Sequence, residues 1–88
     1  MSPARSNYLS VYTEWTAKIL KIENEYGKAL RASNKKYEDD MRKQGANLEM
    51  IVDESLKEME RLESERNAKR AECDKKYREL LDDMRKQG

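Results

Sequence analysis

Apolar residues recur along the first half of the chain at alternating steps of four and three. Tyr8, Tyr12, Trp15, Ile19, Ile22, Tyr26, Ala29 and Ser33 keep this rhythm. The same steps join Leu48, Val52, Ser55, Met59, Leu62, Arg66, Lys69 and Cys73 in the second half. Steps averaging about 3.5 residues hold side chains on one face of a helix, so each line predicts an amphipathic helix with a heptad seam. The first seam is good. The second is interrupted by charge at Arg66 and Lys69.

The stretch DDMRKQG occurs at residues 39–45 and again at 82–88. Both copies read as helix stops. Arg42 and Lys43, and later Arg85 and Lys86, suit the negative end of a helix dipole. Gly45 suits the left-handed position that closes a helix. Asn47 is a good N-cap for a helix starting at Leu48. Ser2 followed by Pro3 is a cap with proline at the first helical position, and Ser6 or Asn7 could equally serve if the first turn frays. The predicted organisation is one domain: a cap segment over 1–7, helix one over 8–44 (beginning as early as residue 3), a turn at 45–47 and helix two over 48–88.

Matched lengths of roughly 60 Å favour a hairpin. The rival is one unbroken helix, since a lone glycine costs only about 1 kcal/mol in a helix interior. The heptad frame shifts by five places between the seams, neither a stutter nor a stammer, and this favours the break. A turn near residue 46 pairs positions whose numbers sum to about 92. Trp15 then meets Tyr77, Tyr12 meets Leu80, Ile19 meets Cys73, and Tyr26 meets Arg66 in a cation–π pair. Gly27 and Ala29 are small and predict a close approach there. An offset of 40 residues also lays Tyr8 on Leu48, Val52 on Tyr12 and Tyr77 on Tyr37, the mark of a duplicated helix, natural or engineered.

The fold class predicted is therefore all-α, an antiparallel two-helix hairpin of coiled-coil type. Leu9, Leu20, Leu30, Leu56 and Leu81 widen the apolar stripe beyond what one partner helix covers. That predicts self-association into a four-helix bundle, a dimer being the simplest case. The seam residues carrying the core and the oligomer contact are Tyr8, Tyr12, Trp15, Ile19, Ile22, Tyr26, Val52, Met59, Leu62, Cys73, Tyr77 and Leu80.

Composition narrows the function. Charged residues make up 42% of the chain, there are only three glycines and one proline, and the net charge is +1. That is helix or coiled-coil composition with no global field to draw nucleic acid. Histidine is absent, so the commonest general base and metal ligand is missing. Asp39-Asp40 and Asp82-Asp83 read as solvated surface, and no glycine-rich phosphate loop exists. The single cysteine, Cys73, reads as a small core filler and fits a reducing, cytoplasmic setting. Neither catalysis nor a cofactor is expected. Lys21, Lys28, Lys35 and Arg42 recur every seven residues, with Lys18 beside them, as a basic line that could meet an anionic partner.

The stretch WTAKILKIENEYGKALRAS, residues 15–33, resembles the long second helix of F-BAR domains. Trp15, Ile19, Ile22, Glu23, Tyr26, Gly27, Lys28 and Leu30 occupy the family's aromatic, apolar, acidic, small and basic places. F-BAR domains are helical dimers that bind anionic membranes through basic residues. The resemblance implies dimerisation and membrane contact through Lys18, Lys21, Lys28 and Lys35, in a fragment or shortened relative. The expected function is a non-catalytic interaction or scaffolding module that associates with itself, or with another helical protein. The alternative is an F-BAR-like element on anionic membrane.

Overall fold

The chain is an antiparallel helical hairpin in a computed structural model that describes residues 3–87, with side chains described from Asn7 onward. Helix α1 spans Pro3–Arg42 and helix α2 spans Leu48–Gln87, 40 residues each. The Ser2 cap lies outside the described residues. The pair is a slim rod with principal extents of 70 × 16 × 8 Å.

Local chemistry places the turn. The Lys43 N–H donates to Asp40 O at 3.3 Å, and the Ala46 N–H to Lys43 O at 3.2 Å. Gly45 sits at φ 78°, a conformation that a Cβ disfavours. Asn47 then caps α2: its Oδ1 accepts from the Met50 N–H at 3.1 Å.

Long-range contacts set the register. The rings of Trp15 and Tyr77 stack with centroids 6.4 Å apart. The Arg66 guanidinium lies 4.8 Å from the centre of the Tyr26 ring. Both pairs sum to 92, the value a turn near residue 46 dictates.

The core is narrow. Ile51, Leu62 and Tyr77 are the buried apolar residues among those described, at 8%, 8% and 1% exposure. Tyr8, Val11, Trp15, Ile19, Ile22, Tyr26, Ser33, Tyr37 and Met41 face them half-buried. Four residues read as seam lie elsewhere in the hairpin. Tyr12 is 59% exposed, Val52 43%, Met59 37% and Leu80 38%. One step along a helix turns a side chain by about 100°. Large residues at Ile51, Leu62 and Tyr77 fix the rotation of α2, so Val52 and Met59, next to core positions, swing onto its flank. Val11 takes the inner place beside Tyr12, and Leu81 the one beside Leu80.

This rotation brings Glu58 toward the seam. Its carboxylate folds outward to the Arg61 guanidinium, and that hydrogen bond holds its pKa below the usual carboxylate value. Gly27 also differs from expectation. A Cβ built there would meet only Arg31 Nη1 of its own helix, at 3.4 Å, so the glycine makes no room for α2.

The centre of the rod is polar. Arg66 Nη1 donates to Glu23 Oε2 at 3.2 Å, and Arg70 Nη1 reaches Glu23 Oε1 at 3.4 Å. Arg66 Nε is buried without a partner. Replacing Arg66 with leucine removes this unpaired group while Arg70 still answers Glu23. We expect Arg66→Leu to stabilise the hairpin by about 1 kcal/mol, the low end for replaced ion pairs because the site is partly wet. Hydrogen exchange across the central layers should show looser register. A variant unchanged in both melting and exchange would show Arg66 to be surface decoration.

Candidate functional site: an apolar flank and a basic groove

Two faces of the rod follow from one geometric rule. Leu9, Tyr12 and Leu20 each come one residue after a position facing α2, as do Val52, Leu56 and Met59 in the other helix. In an antiparallel pair, stepping forward from the core line turns both helices toward the same broad face. Leu48 extends that face toward the turn. All seven side chains are exposed. Soluble chains rarely leave so many large apolar groups along one face without a partner.

The middle of the same face carries Glu23, Arg66 and Arg70. Nearer the open end, the Trp15 indole Nε1–H donates to Asp74 Oδ1 at 2.9 Å. The Tyr12 ring stands edge-on to Trp15 at 6.4 Å. Trp15 therefore joins the core stack to the exposed flank, with its one polar atom satisfied by the opposite helix.

Residues one step before the core line look the other way. Lys18, Lys21 and Glu25 precede Ile19, Ile22 and Tyr26, while Glu72 and Lys76 precede Cys73 and Tyr77. Together with Lys69 they line a groove of about 410 Å³ between the helices, floored by Ile22, Cys73 and Tyr77. The Lys18 and Lys76 ammonium groups lie 5.6 and 5.7 Å from the centre of the Tyr77 ring. Lys18 is held above the usual lysine pKa, chiefly by the neighbouring Tyr77 side chain, against desolvation and with a lesser contribution from Glu14.

The basic line read from the sequence splits. Lys21, Lys28, Lys35 and Arg42 are all exposed on α1. Arg42 is paired with Asp39 at 3.7 Å and Glu38 at 4.0 Å, and Lys18 with Glu14 at 3.9 Å. Lys18 and Lys21 belong equally to the groove. Of the seam residues, Cys73 is half-buried and forms no disulfide, while Leu62 and Tyr77 are buried. Asp74, Arg70, Lys69 and Lys76 were missed as contributors. The sum rule sets residues 69–76 level with residues 16–23, close to Lys18 and Lys21, but the face that each takes depends on the rotation of α2.

Among the described residues, no group of three or more His, Cys, Asp or Glu side chains is placed to hold a metal ion. Nor is any described helix long and apolar enough to cross a membrane. No protein-family model, curated protein or solved structure matches the chain.

Proposed function

We propose that this chain is a non-catalytic helical interaction module that works by associating with itself. A second hairpin covers the flank of Leu9, Tyr12, Leu20, Leu48, Val52, Leu56 and Met59 and completes a four-helix bundle. The observation carrying this reading is the mismatch between a thin core and exposed apolar groups at both ends of one face, Leu9, Tyr12 and Leu20 toward the mouth and Leu48, Val52, Leu56 and Met59 toward the turn. Burying a leucine is worth about 1.5–3 kcal/mol, so covering this face is a sufficient driving force. The assembled rod then holds whatever is joined to it at a fixed spacing. Sedimentation over a dilution series tests the idea: a dimer at micromolar concentration is expected. A chain that stays monomeric at high micromolar concentration overturns it.

The alternative is an F-BAR-like element that meets anionic membrane, supported by the exposed row of Lys21, Lys28, Lys35 and Arg42. Each basic residue near such a surface contributes about 1 kcal/mol, so four give only millimolar attraction for one chain. The carboxylates beside Arg42 reduce it further. Co-sedimentation with anionic vesicles should show weak pelleting that salt abolishes. Tight pelleting that survives high salt would favour the membrane reading over the scaffold.

A further inference from the structure

We infer that the groove between the helices, on the face away from the apolar flank, is a binding site for a small organic anion of two or more negative charges attached to an apolar body. Four lysines line it, two from each helix: Lys18 and Lys21 on α1, Lys69 and Lys76 on α2. Against them stand Glu25 and Glu72, leaving an excess of two positive charges (four less two). Lys21, Lys69 and Lys76 form no ion pair among the described residues. Two ammonium groups from different helices crowd one aromatic ring, an arrangement that an anion between them relieves.

A second observation is independent of charge. The Tyr77 ring, held in place by its stack on Trp15, gives the groove an aromatic wall. The floor of Ile22, Cys73 and the Tyr77 ring is apolar, which selects an anion with a hydrocarbon or aromatic portion over a bare ion. A volume of about 410 Å³ suits a small molecule rather than a helix.

Cys73, the chain's one thiol, sits in the floor and reports on what enters. The test compares its exchange rate with two disulfides: the dianionic dithiobis(nitrobenzoate) and the neutral dithiodipyridine. Each rate is divided by that of a free neutral thiol, N-acetylcysteinamide. The thiolate attacks one sulfur, a new S–S bond forms, and the other half leaves as a thiolate. The groove should favour the dianion by about tenfold or more, as focused positive charge does for an opposite ligand. Added salt should erase the preference. The variant Lys21→Gln/Lys76→Gln, exposed residues from both helices, should lose it with helicity intact. Where the thiol is silent to both reagents, titration with suberate, a dicarboxylate on a hydrocarbon chain that does not absorb with the indole, decides. Trp15 stacks on Tyr77, so filling the groove should change indole fluorescence saturably, relative to chloride at equal ionic strength. Equal normalised rates, a preference unchanged in the double variant, or a silent thiol with no saturable fluorescence response would overturn the assignment.

Discussion

Replacing Tyr77 with alanine is expected to melt the hairpin, at a cost of about 3–5 kcal/mol for removal of a large buried aromatic. Tyr77 is the most buried side chain among those described, at 1% exposure. It stacks on Trp15 and has the ammonium groups of Lys18 and Lys76 within 5.6 and 5.7 Å of its ring centre. Its loss opens the layer that joins the outer halves of both helices. Small domains hold only about 5–15 kcal/mol in all, so the variant should lose a large share of its stability and melt far below the parent chain. The companion Tyr77→Phe keeps the ring and deletes a hydroxyl that has no partner. It should be neutral or stabilising, because a buried unpaired polar group is itself a cost. Thermal melts followed by circular dichroism at one protein concentration separate the two. A Tyr77→Ala loss below about 1 kcal/mol would mean that the stack contributes little to the fold.

The second large effect concerns mass rather than melting. Leu20→Glu with Leu56→Glu places one charge on each helix's share of the apolar flank. Both leucines are exposed in the hairpin, so the single chain should fold with unchanged helicity. In a symmetric dimer the pair alters four positions. At about 1.5 kcal/mol each, association should weaken by more than about a thousandfold. Asn24→Glu with Ser64→Glu, exposed positions on the backs of the two helices, adds the same charge away from the flank and should leave the mass unchanged. A leucine double variant as dimeric as the parent chain would remove this face from the interface.

Much of the fold was legible because its signals are local. Gly45 and Asn47 marked the turn, and a turn position alone fixes which residues of an antiparallel pair lie level. Trp15 on Tyr77 and Tyr26 on Arg66 follow from that arithmetic. The rotation of α2 was harder. The steps through Leu48, Val52, Ser55 and Met59 and those through Ile51, Ser55, Glu58 and Leu62 share the heptad rhythm, and both pass through Ser55. The second line holds a glutamate, which made it look worse. Arg61 lies one turn away to take that carboxylate, so the line is tolerable after all. The groove depended on both register and rotation. A basic row was visible along α1 because periodicity is a property of one helix. The convergence of Lys18 and Lys21 with Lys69 and Lys76 is a property of two.

Both helices begin or finish at the same end of the rod, Pro3 beside Gln87, with the turn about 60 Å away. A load applied through those two ends does not shear the hairpin; it unzips it. Successive layers separate singly, and each rupture needs only its own contacts to fail. The first strong tooth is the Trp15–Tyr77 stack with its Asp74 bond, about 18 Å in from the mouth. Past it lie the wet, charge-laced layers around Glu23 and Arg66, which resist less. The molecule is therefore stiff in compression along its length and yields in tension at its mouth, with one aromatic latch setting the threshold.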